Sequence, residues 1–243
     1  MSGVGPISVW TPPNFERILG IGRFYRPTML ASSGLLAYWR NGETSGTVGH
    51  DEMGAHNGIY VGSPMLGATG LLKGDVSTAV TFISQTQWMI SSLVTTATDN
   101  WGISRWLVVP ALGTYAFALI NGTNNSGNSM GYMMYIDNAG HPVLSYPGLA
   151  TYSSSTVLTP GTVVFLVATR SGTCNMYLNG VVDAGFTGDA VSPIAPANQT
   201  VIGTNATDGS GPVGTNTGQD TAIWGVAPSP TKIAELYAIG AGL

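Results

Sequence analysis

The sequence predicts an all-β fold: a closed sandwich or barrel of short strands, closed by one short helix. Three observations carry this. Gly34–Arg40 (GLLAYWR) alternates as a half-buried strand does. Val163–Val182 reads as a long hairpin: an apolar strand, the turn Arg170-Ser171-Gly172-Thr173, then alternation through Asn175, Met176, Tyr177 and Leu178. A second turn follows at Asn179-Gly180, a dipeptide suited to the tight turns that join antiparallel strands.

The elements follow in order. Residues 1–33 differ from the rest and are expected to form an extended arm, because Pro6, Pro12, Pro13 and Pro27 interrupt regular structure. Phe15, Ile18, Leu19, Ile21, Phe24 and Tyr25 are too apolar for a free tail, and Phe15–Leu19 has room for a helical turn or two. The arm is therefore expected to pack, either on a partner or on its own body. The body spans 34–243. In Gly34–Arg40, Leu36 and Tyr38 fall on one face and Leu35, Ala37 and Trp39 on the other. Asn41–Gly58 is polar and turn-rich, Tyr60-Val61 resumes a strand, and Gly62–Gly74 is a glycine-bearing loop.

Strands are expected at Ala79–Ile83, Gln87–Leu93, Ile103–Val109, Tyr115–Ile120, Gly131–Ile136 and His141–Leu144. Asn121–Ser129 is a displayed loop, and Gly148–Val157 is rich in serine and threonine. After the hairpin come a strand at Val201–Gly203, a long loop at Asn205–Gln219 and a last strand at Thr221–Val226. Ser229-Pro230 signals a helix start, with Ser as N-cap and Pro in the first turn. Ile233, Leu236 and Tyr237 make its apolar stripe, and Gly240 ends it.

Composition narrows the function classes. Charged residues are 8% of the 243, against roughly 25% in an ordinary soluble domain. Serine, threonine, asparagine, glycine and backbone must supply the polar surface, which suits packing in an assembly. Arg17, Arg23 and Arg26 against Glu16 put +2 on the first 33 residues, leaving −6 for the remainder of a total of −4. That asymmetry is either chance or a basic arm laid on an acidic protein surface. It is too sparse for nucleic-acid binding, which needs many phosphate contacts. Cys174 is the only cysteine, so no intrachain disulfide forms; its alternation with Met176 and Leu178 makes it a buried structural thiol. Met1–Trp10 lacks the basic start and apolar core of a secretory leader, and no apolar run is long enough to span a membrane.

LLAYWRNGETSGTVGHDEMGAHNGIYVGSP (35–64), Thr78–Phe82, the hairpin ending in Tyr177-Leu178-Asn179-Gly180, Val201–Gly203, and Ala222-Ile223-Trp224 followed by Ser229–Tyr237 together resemble the laminin-G-like, concanavalin-A-like lectin and glucanase superfamily. The resemblance covers Gly34 to Gly240 and rests on order and spacing. It implies a jelly-roll sandwich of two antiparallel sheets. The lead-in Tyr25–Gly34 is similar to that of such domains in tailed-bacteriophage structural proteins, which implies a virion component. Members of the superfamily often carry calcium and sugars. By that resemblance Asp51, with Glu52 and Asn57, would be the calcium candidates, since calcium takes several oxygen ligands; an ordinary capped loop is the alternative reading. Gln219-Asp220 stand where members often have an acidic pair, with one carboxylate remaining.

Catalytic machinery is not expected. The glycosidase branch uses a Glu-x-Asp-x-x-Glu strand that is absent here, and Glu16, Glu43, Glu52 and Glu235 are scattered. His50, His56 and His141 lack zinc spacing, and no serine sits in a Gly-x-Ser-x-Gly elbow. Trp39, Trp106 and Trp224 lie in apolar strands and read as core, whereas Trp10, Trp88 and Trp101 lie nearer turns or the arm. Trp101 follows Asp99-Asn100 and is the first candidate for an exposed sugar platform, with Asn121, Asn124 and Asn205 in the long loops as amide donors.

The leading expectation is a non-enzymatic virion structural protein that decorates or reinforces a capsid. The arm would anchor it to a major capsid or tail protein through Trp10, Phe15, Arg17, Leu19, Arg23, Phe24, Tyr25 and Arg26. By analogy it would be a homo-oligomer such as a trimer, assembled in the host cytoplasm. The alternative is a carbohydrate-binding tail or fibre module for adhesion to surface glycans.

Overall fold

The computed structural model describes residues 24–92, 99–122, 130–193, 199–203 and 214–243. The described strands form two eight-stranded antiparallel sheets, as expected of a jelly-roll sandwich. The first runs β14 (Val181–Val182), β13 (Thr173–Leu178), β12 (Val163–Ser171), β7 (Asn100–Val108), β16 (Asn216–Trp224), β5 (Ala79–Phe82) and β4 (Met65–Ala68), with β1 (Leu35–Trp39) also paired to β16. The second runs β11 (Ala150–Ser153), β10 (Pro142–Tyr146), β9 (Met130–Ile136), β8 (Ala116–Gly122), β15 (Thr200–Ile202), β6 (Trp88–Ser91), β3 (Gly58–Val61) and β2 (Val48–Gly49).

The hairpin expected at Val163–Val182 is present. β12 and β13 pair from Leu166↔Leu178 to Ser171↔Thr173 around Gly172, and Asn179-Gly180 turn into β14 with φ of 52° and 82°. Positive φ at both central residues is what a tight hairpin turn demands, and Asn and Gly tolerate it. Cys174 is buried beside Met176 in the core between the sheets, as its alternation implied. That core also holds Trp39, Phe82, Trp101, Leu166 and Ile223.

A second apolar layer lies outside the first sheet. There Tyr38, Trp106, Phe165 and Trp224 pack beneath two helices, α1 (Tyr25–Leu30) and α2 (Pro230–Gly240). α2 begins as expected, with the Ser229 hydroxyl accepting from the Lys232 amide at 3.2 Å and Pro230 in the first turn. Gly240 is the last helical residue, as expected, with the cap at Ala241 and the left-handed backbone at Gly242 (φ 69°) rather than at Gly240 itself. A Cβ at Gly240 would lie 2.4 Å from the Trp106 ring, so the glycine is needed for close helix–sheet approach. α1 falls inside the expected extended arm. It buries Tyr25 and Met29 against the protein's own first sheet, and the Trp106 indole N–H donates to the Tyr25 hydroxyl at 3.0 Å. The body therefore begins before residue 34. Phe15–Leu19 lies outside the described residues.

β1 departs from simple alternation. Its register against β16 shifts between Leu35 and Ala37, a bulge that leaves Leu36 exposed. Leu35 consequently joins Tyr38 in the outer layer, while Ala37 and Trp39 face the central core. β16 is longer than expected, running nine residues from Asn216 inside the segment read as loop. Its first half pairs with β5 and its second half with β1, while β7 lines its other edge. The changeover is a second register shift, between Gln219 and Ala222, with Asp220 at φ 51°.

That shift buries Asp220 completely. Its carboxylate accepts a short hydrogen bond from the Tyr38 hydroxyl and lies 3.5 Å from Arg40 Nε, while Arg40 Nη2 also holds Asp75 at 2.6 Å. Arg40 is thus one cation between two carboxylates. Burial pushes the Asp220 carboxyl up to about 7, against the pull of Arg40 and Tyr38.

Arg105 is a further buried charge. It points from β7 into the central core, donates from Nη1 to the Ala118 carbonyl at 3.0 Å and lies 5.7 Å from the Phe82 ring centroid. Burial lowers its pKa to about 9. Space for it exists because residue 218 is glycine: a Cβ there would sit 2.2 Å from Arg105 Nε.

Two predictions follow from these buried charges. Gly218→Ala should lower stability by about 2–3 kcal/mol, since the guanidinium has nowhere to move. Arg105→Met in the same chain should recover most of that loss, read as urea midpoints with unchanged slope. For Asp220, the folded state holds a proton that the unfolded chain, near its ordinary 3.8, has already released. Stability should therefore fall as pH rises from about 4 to about 7 and then level off, and Asp220→Asn should flatten that segment.

Candidate functional site

Among the described residues, no helix layer covers the outer face of the second sheet as one covers the first. Alternation places one residue per strand in a line across it. Cross-strand pairing links Val48, Ile59, Ile90, Val201, Ile120, Met133, Ser145 and Thr151 in turn, from β2 to β11. Six of these eight neighbours are apolar. At about 4.8 Å per strand the line is roughly 34 Å long.

A second line, two residues along, is aromatic. Trp88 pairs with Val61 on one side of β15; on the other, Phe117 pairs with Tyr135 and Tyr135 with Val143. Tyr115 completes a ring cluster, with centroids 6.0 Å from Phe117 and 6.1 Å from Tyr135, and Phe117 5.1 Å from Tyr135. The middle of the face is buried at Phe117, Ile120 and Val201, whereas Trp88, Ile90, Tyr115, Met133 and Tyr135 are half-buried and Ile59 is exposed. No residue in either line is charged. Burial, aided by Tyr115 and Asp137, pushes the Tyr135 phenol up to about 12, so it remains a neutral donor at physiological pH.

Such a surface suits a flat ligand with an apolar face and a hydroxylated rim. Aromatic rings supply area at small entropic cost, and tyrosine and tryptophan keep a polar edge for hydrogen bonding. Contiguous outward apolar surface on a sheet marks an interaction site more often than accident.

The residues singled out from sequence fall elsewhere. Trp101 is not an exposed platform. β7 begins at Asn100, ahead of the expected Ile103, so Trp101 joins the inward alternation with Ile103, Arg105 and Leu107. Its ring stacks on Tyr132 with centroids 4.0 Å apart and is fully buried. Asn121 lies at the end of β8, where its backbone pairs with Tyr132; its side chain, like Asn124 and Asn205, lies outside the described residues.

Asp51, Glu52 and Asn57 are close in the chain but their oxygens are engaged separately. Asp51 Oδ1 accepts from the amides of Tyr38 and Met53 at 2.9 and 3.1 Å, and Oδ2 from those of Ala55 and His56 at 3.1 and 2.9 Å. These four bonds use the carboxylate's acceptor capacity and clamp the loop onto β1. Asn57 Oδ1 accepts from the Asp51 amide at 2.9 Å, and Glu52 binds Arg26 at 2.6 Å. Among the described residues no group of three or more His, Cys, Asp or Glu side chains could hold a metal ion.

Of the expected anchoring residues, Trp10, Phe15, Arg17, Leu19 and Arg23 lie outside the described residues. Phe24 is exposed, Tyr25 is buried in the protein's own outer layer, and Arg26 is held by Glu52. Trp88 is the aromatic whose place nearer a turn did flag exposure. Tyr115 and Tyr135 carried no local signal, because only strand pairing brings them together.

No helix among the described residues is long and apolar enough to cross a membrane. No curated protein sequence matches the chain. Solved structures share the fold. Trypanosoma rangeli sialidase superposes with a TM-score of 0.65 at 13% identity, covering 85% of this chain and 33% of its own. The same sialidase in complex with sialic acid gives 0.66 at 13% identity over 85% and 33%. The botulinum neurotoxin serotype D binding domain gives 0.61 at 14% identity over 86% and 52%. The chain thus spans about a third of the sialidase and about half of the toxin fragment, and at these identities the likeness establishes the fold alone. The family model described as the concanavalin A-like lectin/glucanases superfamily matches residues 84–234, more than half of the chain and most of both sheets. The chain belongs to the concanavalin A-like lectin/glucanase superfamily.

Proposed function

We propose that this protein is a non-enzymatic carbohydrate-binding module whose binding surface is the outer face of the second sheet. The observation that carries the proposal is the uncharged aromatic group Trp88, Tyr115 and Tyr135, half-exposed beside the line of residues that crosses all eight strands. The ligand is a neutral glycan, since no ionised side chain lies in either line to pair with a charged one. Rings would stack on the C–H faces of successive sugars, with the Tyr135 hydroxyl and the exposed Thr151 side chain at the rim. The kinship with a sialidase solved with sialic acid, and with a toxin's binding domain, supports recognition as the general role.

The reading as a virion decoration protein anchored through residues 1–33 has less support. It rests on the arm's apolar residues and on the Tyr25–Gly34 lead-in, and Tyr25 and Met29 are used to cover the protein's own first sheet. None of the related structures described above is named as a virion protein.

A glycan array probed with and without EDTA tests the assignment. Binding to neutral glycans should be unchanged by chelation, because the Asp51 oxygens are engaged by backbone amides. Trp88→Ala and Tyr135→Ala should each weaken it by about tenfold or more, equivalent to ~1.4 kcal/mol. Trp101→Phe should leave binding intact. Absence of glycan binding in both conditions would sink the proposal.

A further inference from the structure

Two residues with left-handed backbone meet beneath the helical layer of the first sheet. Asn41 has φ 54° and Asp220 φ 51°, and the Asp220 amide donates to the Arg40 carbonyl at 2.9 Å. Non-glycine residues hold such a backbone where the surroundings enforce it, and they gather at sites that bind or switch. Here the surroundings are ionisable groups around one buried carboxylate. From β1, the Tyr38 hydroxyl donates to Asp220, and Arg40 Nε lies 3.5 Å away. From the segment 71–76, Asp75 holds Arg40 on its other side at 2.6 Å. From α1 comes Tyr25, whose phenol is pushed up by burial and by the Asp220 carboxylate. The remaining neighbours direct their charges elsewhere. β7 turns Arg105 into the central core, and α2 pairs Lys232 with Glu235 and stacks Tyr237 on Trp106.

This cluster balances its charge in one protonation state. With Asp220 protonated, Arg40 and Asp75 cancel. With Asp220 ionised, one cation faces two carboxylates, and Asp220 Oδ2 has no hydrogen-bond partner among the described residues. A buried charge so placed gains by meeting water. Its cover is thin. α1 is six residues long with no side-chain cap, too short to persist without its packing. The burial of Tyr25 and Met29, the Trp106–Tyr25 bond and the Arg26–Glu52 pair hold it. The segment 71–76 is held by buried Leu72, by the Leu71 amide on Gln219 Oε1 at 2.6 Å, by the Lys73 amide on the Gly240 carbonyl at 2.8 Å, and by Asp75 on Arg40. Between α1 and this segment a cleft of about 420 Å³ is lined by Tyr25, Arg40, Leu72 and Asp75. Solvent in it reaches to within one side chain of Asp220, since Arg40 touches both.

We propose that α1 and the segment 71–76 form a proton-operated cover over Asp220, seated while Asp220 is protonated and lifting from the first sheet to let water reach it once it ionises. Lifting parts Asp75 from Arg40 and the Leu71 amide from Gln219, and it leaves the two sheets and the aromatic face intact. Because the chain enters the body through α1, the same proton sets how firmly that entry is held. Burial pushes the covered Asp220 carboxyl up to about 7, against 3.8 when exposed. Between these values lifting releases a proton. The lifted fraction therefore rises with pH, by up to about tenfold per unit, and levels off above about 7.

The test is amide hydrogen exchange on the full chain, comparing wild type with Asp220→Asn at the same pH so that intrinsic exchange rates cancel. For amides of 25–30 and 71–76, the ratio of wild-type to variant exchange should be at least about tenfold larger at pH ~8 than at pH ~5. These amides should also exchange faster than those of β12, which open only with the whole protein. The ratio for β11, an edge strand of the other sheet, should not change with pH. Tyr38→Phe keeps the ring but removes a donor to the charged form of Asp220. Measured against intrinsic rates, its exchange should go on rising above pH ~7, where wild type levels off. A ratio at 25–30 and 71–76 that is constant with pH, an equal change at β11, or exchange no faster than that of β12 would overturn the proposal.

Discussion

Strand β16 is the constraint on which most of this structure depends. It must pair with β7 along one edge while serving β5 and β1 in succession along the other. Where the partner on that edge changes from β5 to β1, the register of β16 against β7 shifts between Gln219 and Ala222. The consequence is a carboxylate inside the protein. Asp220 tolerates that position because the Tyr38 hydroxyl donates to it and Arg40 stands beside it, with Asp75 holding Arg40 from outside. Tyr38 and Arg40 follow the bulge in β1 at Leu36, so the irregularities of the two strands meet at one polar knot. Gln219 ties the same place to the preceding loop by accepting from the Leu71 amide at 2.6 Å. The knot lies beneath α1 and the segment to Val76, which together border a cleft with the end of α2.

Scarcity of charge explains the contrast between the two outer faces. A chain with so few ionised groups cannot spread them evenly, and this one uses several internally. Arg170 is buried to hold the loop after β14, donating to the Ala190 carbonyl at 2.9 Å and the Ser192 hydroxyl at 3.2 Å, with Asp99 at 3.2 Å. Arg105 is buried with a carbonyl and an aromatic face as its recorded neighbours. Such groups contribute little net stability compared with apolar replacements, but removing their partners is costly. What remains for the surface leaves one sheet face without charge and gathers three cations at the helical end.

Much of the fold was legible along the chain. Alternation and turn chemistry located the long hairpin, the Asn179-Gly180 turn, the capped start of α2 and the burial of Cys174, because each is decided within a few residues. α1 was not legible. Pro27 and the short apolar run around it read as extended, yet Pro is compatible with the first turn of a helix, and the burial of Tyr25 and Met29 on Trp106 stabilises it. The first half of β16 read as loop, since Asn216 and Gly218 have poor strand propensity; pairing with β5 and β7 and the room that Arg105 requires override that.

The sequence by itself determined the class of fold, the number and kind of most elements, the absence of an internal disulfide and the poverty of charge. Those depend on local periodicity and on counts, which need no knowledge of neighbours. The candidate sites were decided only by the tertiary structure. Trp101 and Trp88 have similar local surroundings, but the early start of β7 turns one into the core while the pairing of β6 leaves the other on the open face. The aromatic face draws Trp88, Tyr115 and Tyr135 from three separate segments, and the cluster around Asp220 draws Tyr25, Tyr38 and Asp75 from three more. Side chains that far apart along the chain become neighbours only through sheet register and helix docking, and no local pattern records either.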